Sequence, residues 1–156
     1  MQRISPCLWF DGQAEEAANF YVSVFGNSKL GDIMRFGAGG PGPAGSVLSV
    51  TFQLEGQEFI ALNGGPHFKF TPALSLFVKC RAQTEVDELW EKLSAGGQTQ
   101  KCAWLTDRYG VSWQIVPTVL GELLQLKDPE KAKKVMQAMM QMDKIDIAAL
   151  KRAAAG

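Results

Sequence analysis

The stretch Lys101–Pro117, KCAWLTDRYGVSWQIVP, reads as two adjacent strands joined by the tight turn Asp107-Arg108-Tyr109-Gly110. Asp at the first position and Gly at the last are what a type I turn favours, so Asp107 and Arg108 need no catalytic explanation. On the second strand Val111, Trp113 and Ile115 fall on one face, and Ser112 and Gln114 on the other, because side chains alternate along a strand. An apolar face thus backs a half-polar one, and a binding function belongs on the polar side.

Upstream of this hairpin, Ala73 to Cys80 reads as a strand and Thr84 to Ala95 as a helix, with Val86, Leu89, Trp90 and Leu93 on one side and Gly96-Gly97 as its stop. The remaining strands are Gln98 to Cys102, Ala103 to Asp107 and Val111 to Val116. The first part of the chain shows the same order. Ile4 to Phe10 is a strand ended by Asp11-Gly12, and Ala14 to Phe25 a helix whose Ala17, Phe20, Tyr21, Val24 and Phe25 recur at three- and four-residue spacing. Lys29 to Phe36 and Ser46 to Leu54 are strands around the Gly/Pro-rich loop Gly37–Gly45. In the second, Leu48, Val50, Phe52 and Leu54 alternate with Ser49, Thr51 and Gln53. A turn at Glu55-Gly56-Gln57 leads into Phe59 to Asn63. An offset of about 69 residues lays Glu16, Phe20, Tyr21 and Val24 on Glu85, Leu89, Trp90 and Leu93, which marks an internal repeat.

With 156 residues, 46% of them apolar, the chain suffices for one well-packed domain. We read it as modules at about 1–65 and 73–117, with 118–156 a helical tail of the same domain. Sixteen basic and sixteen acidic residues balance, and no basic block stands out, so composition argues against nucleic acid or a membrane surface as partner. MQRISPCLWF enters a strand pattern at once, without a signal peptide's apolar stretch, and the expectation is a soluble cytoplasmic protein. Cys7, Cys80 and Cys102 lack CxxC or zinc-finger spacing and read as free thiols packed as small apolar groups.

The opening PCLWFDGQAEEAANFYVSVFG, the central FIALNGGPHFKFTPALSLFV, and WLTDRYGVSWQIVP with the tail after it resemble the vicinal oxygen chelate superfamily, the glyoxalase and bleomycin-resistance fold, and specifically its PhnB-like branch. The resemblance implies an α+β fold of two βαβββ modules forming curved mixed sheets around a cleft, and a homodimer. Members of the branch are often labelled 3-demethylubiquinone-9 3-methyltransferase. Superfamily enzymes generally hold a divalent metal with four side chains, and the matching positions here are Ser5 or Pro6, Ala61, Ala73 and Gln114. One amide oxygen does not hold such an ion tightly, so a divalent metal is disfavoured and no cofactor is expected.

Other sites read as structural. His67, the single histidine, lies in the crossover GGPHFKFTPA with no carboxylate within several residues, so a loop role outweighs a general base. The Gly37–Gly45 loop lacks the Lys-Ser/Thr ending of a phosphate cradle, and Pro41 and Pro43 remove amide donors. Its place in the family suggests a flap. No glycine-rich turn of the kind that seats a nucleotide-like methyl donor is present, which disfavours the methyltransferase label. The polar strand faces supply the candidate cleft: Thr51, Gln53, Asn63, Ser75, Ser112 and Gln114, with Phe77 and Trp104 as aromatic walls. Such a lining suits a small, partly apolar, uncharged ligand. Two classes stay open, a small-molecule-binding protein and an enzyme on a small organic substrate. In the tail, Asp128-Pro129 starts a helix whose Ala132, Val135, Met136, Met139 and Met142 form a packing stripe, and Asp146 caps a last helix.

Overall fold

The first repeat folds as β1 (Cys7–Phe10), α1 (Ala14–Val24), β2 (Lys29–Arg35), β3 (Val47–Leu54) and β4 (Gln57–Asn63). The computed structural model describes residues 2–156, and these divide into two compact units that meet in sequence at Phe70 and Thr71. In the first unit the strand order is β1-β4-β3-β2, with β1 and β4 parallel and the other pairs antiparallel. Glu55 and Gly56, at φ 52° and 82°, form the tight β3–β4 hairpin, the positive pair that matches the strands' own twist.

Alternation then divides the sheet. Leu8, Phe10, Val50, Phe52, Phe59 and Ala61 are buried on the side where α1 lies, with Tyr21 stacked on Phe52 at 6.1 Å and Phe52 on Phe59 at 5.4 Å. Gln13 offers α1 no side-chain cap, and β4 supplies one instead: Asn63 Oδ1 accepts from the Ala14 N–H at 2.9 Å. Its Nδ2 donates to Val47 O at 3.0 Å, so one amide fastens helix, β3 and β4 together.

The second repeat gives β5 (Ser75–Cys80), α2 (Gln83–Ser94), β6 (Gln98–Thr99), β7 (Trp104–Thr106) and β8 (Ser112–Pro117). Its sheet order, β5-β8-β7-β6 with β5 and β8 parallel, repeats that of the first unit strand for strand. Helix α2 begins at Gln83, where the offset from Ala14 puts it. The expected α+β class with two βαβββ modules is therefore the observed one. Strands β6 and β7 are shorter than expected, because Cys102 and Ala103 leave extended backbone at φ 61° and 74°.

The hairpin turn is built on Asp107, 2% exposed. Gly110 N–H donates to Asp107 O at 3.0 Å, while Asp107 Oδ1 accepts from the N–H groups of Tyr109 and Val111 at 2.9 and 3.0 Å. Oδ2 accepts from the buried indole of Trp113 at 2.8 Å.

Beyond β8 come α3 (Thr118–Leu124), α4 (Pro129–Met140) and α5 (Ile147–Ala155). Asp128 caps α4 through Glu130 N–H at 3.0 Å and Asp146 caps α5 through Ala149 N–H at 3.1 Å, as expected. The helix α3 is an addition to that reading. Leu120, Val135, Ile145, Leu150 and Ala154 form one apolar cluster with Ala103, and Val116, Met139 and Met142 pack against it. The methionine stripe thus covers this unit only in part, since Met136 is 40% exposed. Gln83 ties α2 to the tail, donating to Ile145 O at 2.9 Å and accepting from Ile147 N–H at 2.8 Å. Removing either cap, Asp128→Ala or Asp146→Ala, should cost about 1 kcal/mol by chemical denaturation.

Cys80, the last residue of β5, is buried, and burial, reinforced by the Glu85 carboxylate, pushes its thiol up from 9.0 to about 12. Above the ordinary thiol range the unfolded chain gives up a proton that the folded chain keeps, so stability should fall as pH rises from about 9 toward 12. At about pH 8, iodoacetamide should modify exposed Cys7 and spare Cys80 until the chain unfolds. Equal labelling of both thiols in the native state would contradict this packing.

Candidate functional site

The face of the second sheet turned away from α2 carries three cross-strand rows. The polar row runs Gln98, Thr106, Ser112, Ser75 across β6, β7, β8 and β5, each residue directly opposite the next. The second row runs Trp104, Gln114, Phe77 across β7, β8 and β5. An amide therefore stands between two aromatic rings, one of which, Phe77, is 54% exposed. A third row, Val116 and Lys79, follows, and Val116 is covered by the tail helices.

Hydrogen bonding sets what this face offers. Gln114 Nε2 donates to Ser75 Oγ at 3.0 Å, and Gln100 Nε2 donates to Thr106 Oγ1 at 3.0 Å. Neither Gln114 Oε1 nor the Trp104 indole N–H has a partner among the described residues. No buried side-chain N or O lacks a partner among these residues, so both atoms reach solvent. The row thus presents one acceptor and one donor between apolar ring surfaces, with no formal charge in it.

The structure gathers Ser75, Phe77, Trp104, Ser112 and Gln114 on this one face. Thr51 and Gln53 lie in the other unit, half-buried on the face of its sheet away from α1, in register with Ile60 and Glu58. Asn63 shares its face with Ala61 and Phe10, on the helix side, and its amide is occupied by Ala14 and Val47. Alternation along FIALN already carried that signal, since Phe59, Ala61 and Asn63 point the same way. Sequence reasoning missed Thr106 and Gln100, whose place follows only once β7 is paired with β8. His67 is exposed in the linker and makes no hydrogen bond or ion pair among the described residues. The linker's other rings pack on the first sheet, Phe68 edge-on to Trp9 at 5.0 Å and Phe70 to Phe10 at 5.3 Å.

The positions matching the superfamily's metal ligands do not fit a divalent ion. Ala61 is 0% exposed on the α1 side, and neither it nor Ala73 has a donor side chain. Ser5 Oγ is engaged with Glu58 Oε2 at 2.5 Å, which leaves Gln114 Oε1 as a single neutral oxygen. Among the described residues no three His, Cys, Asp or Glu side chains gather into a group that could hold such an ion. No helix among these residues is long and apolar enough to cross a membrane.

Comparison with known proteins gives the family. The PhnB protein from Bacillus cereus, provisionally designated a 3-demethylubiquinone-9 3-methyltransferase, is 40% identical, with a TM-score of 0.69 over 75% of this chain and 100% of that one. A protein from Pseudomonas aeruginosa is 23% identical, with a TM-score of 0.61 over 75% of this chain and 98% of that one. The fosfomycin resistance protein FosX from Listeria monocytogenes is 14% identical, with a TM-score of 0.52 over 78% of this chain and 97% of that one. The last two show a shared fold alone. Among curated proteins nothing matches. Residues 2–116 match the model of the family described as 3-demethylubiquinone-9 3-methyltransferase, leaving α3, α4 and α5 beyond the match. The chain belongs to that family, the one the PhnB protein represents among the solved structures it resembles.

Proposed function

We propose that this chain binds a small, uncharged, partly apolar molecule on the face of its second sheet turned away from α2, and does so without a metal. The observation that carries the reading is the row Trp104, Gln114, Phe77, in which an unpaired amide oxygen and an unpaired indole N–H sit beside an exposed ring. Large apolar side chains left in water on a sheet face are spared that exposure when a ligand covers them. A hydrogen-bond pair among the rings supplies orientation, and the absence of formal charge in the row disfavours a phosphate or a polyanion. Within this reading the protein is a soluble cytoplasmic homodimer.

The family's designation favours a second reading, an enzyme acting on a small organic substrate at the same face. Methyl transfer needs a seat for a nucleotide-like donor, and both sheets have the mixed 1-4-3-2 order in place of a parallel doubly wound sheet. That argues for chemistry other than the designated one.

Native mass spectrometry with elemental analysis of the purified protein separates these readings. The binding reading expects a neutral organic adduct, metal well below one per chain, and loss of the adduct in Phe77→Ala and Gln114→Ala. Truncating a ring that covers a ligand should weaken it by about 10- to 100-fold. Stoichiometric metal that Gln114→Ala abolishes would overturn the proposal, and turnover of 3-demethylubiquinone with a methyl donor would replace it by the second reading.

A further inference from the structure

Cys102 and Ala103, at the tip between β6 and β7, hold left-handed backbone at φ 61° and 74°. Residues with a Cβ avoid that region and stay there only where the surroundings enforce it. Here the tail does so. Cys102 N–H donates to Met142 O at 2.8 Å, and Ala103 N–H to Asp143 O at 3.0 Å, both carbonyls belonging to the loop between α4 and α5. The Ala103 methyl is sealed in the tail's apolar cluster at 1% exposure, and its carbonyl accepts from Ile115 N–H at 2.9 Å. Lys101 adds an exposed ion pair to Asp143 at 3.3 Å. The very next residue is Trp104, the first of β7, directly opposite Gln114. Two left-handed residues in succession redirect the chain, so the entry into β7, and with it the place of the indole, depends on their being held.

We infer that the α4–α5 loop is a positioning device for the candidate site: within the backbone register that the Asp107–Gly110 hairpin sets, its two carbonyls keep Cys102 and Ala103 left-handed and so hold the Trp104 indole in its place beside Gln114. The tail lies beyond the family match at residues 2–116, so this device is an addition to the shared fold. The inference rests on the binding reading for what the site does, while the mechanical link from tail to indole stands with or without a ligand. Glycine adopts left-handed backbone unaided, and Ala103 keeps the bond that its carbonyl accepts from Ile115 N–H, so Cys102→Gly should free Trp104 from its dependence on the tail.

The test uses the full chain as Leu150→Ala, Cys102→Gly and the double variant. Leu150 is fully buried in the tail cluster, and its truncation loosens the packing around the loop. The readout is the indole proton–nitrogen NMR signal of Trp104, assigned by its loss in Trp104→Phe, alongside stability from denaturation. Leu150→Ala should split or broaden that signal, and adding Cys102→Gly should restore one sharp line without restoring the lost stability. A Trp104 line indifferent to Leu150→Ala, or broadening that Cys102→Gly leaves in place, would overturn the inference. If Leu150→Ala does not fold, Gln83→Ala, which removes the hydrogen bonds from α2 to Ile145 in the α4–α5 loop and to Ile147 at the start of α5, takes its place with the same readout.

Nile red, a neutral planar probe, separates the two levels of the account. Its affinity should fall about tenfold in Leu150→Ala and return in the double variant. A Trp104 line that splits as expected in a protein binding no probe sinks the binding reading alone. A bound probe beside an invariant Trp104 line sinks the positioning inference alone.

Discussion

Asp107→Ala is expected to lower stability by about 3–5 kcal/mol, because it strands donors that folding has removed from water. The carboxylate is 2% exposed and accepts from Tyr109 N–H, Val111 N–H and the Trp113 indole. Trp113 is itself 1% exposed, so its N–H finds no water in compensation. Asp107→Asn keeps the shape but turns one acceptor into a donor facing a donor, so it should recover only part of the loss. Urea denaturation followed by far-ultraviolet circular dichroism measures both. A loss under about 1 kcal/mol in the alanine variant would mean the turn does not depend on this side chain.

The second large effect is expected at Gly97, where the reason is space. A Cβ there would stand 2.0 Å from Thr106 O and within 2.8 and 2.9 Å of the Asp107 backbone. Backbone cannot swing aside as a side-chain end can, so Gly97→Ala must part β6 from β7 or push the turn off Trp113. The expected loss is about 3 kcal/mol. Gly121, in the middle of α3, has nothing within 4 Å of its would-be Cβ. Gly121→Ala is accordingly expected to stabilise by about 0.5–1 kcal/mol, and the opposite signs at the two sites make the comparison decisive. Equal effects in the same denaturation experiment would contradict the close approach.

Much of this architecture is legible in the residues, for identifiable reasons. The strand, helix and three-strand order shows twice because hydrophobic period changes from two to three or four at each helix, and Gly or Asn closes each one. The Asp107–Gly110 turn fixes the register that sets Trp104 opposite Gln114. That Phe77 joins them is a different matter, since β5 and β8 are far apart in sequence and only their parallel pairing aligns the two. Asn63 was readable by alternation as a residue of the helix face, but its polarity argued the other way until its partners, Ala14 and Val47, were placed. The short β6 and β7 were not readable. Cys and Ala carry no local preference for left-handed backbone, and the groups that hold them there arrive from about 40 residues downstream. Helix α3 lacks a capping side chain and contains Gly121, so neither of the usual start signals announced it.

The most direct measurement of the central claim is an NMR titration of the nitrogen-labelled chain with small neutral ring compounds, with and without a strong chelator. The account predicts shifts that gather on Ser75, Phe77, Trp104, Ser112 and Gln114, strongest at the Gln114 side-chain amide and the Trp104 indole, and unchanged by the chelator. Shifts that gather elsewhere, or binding that the chelator abolishes, would contradict it.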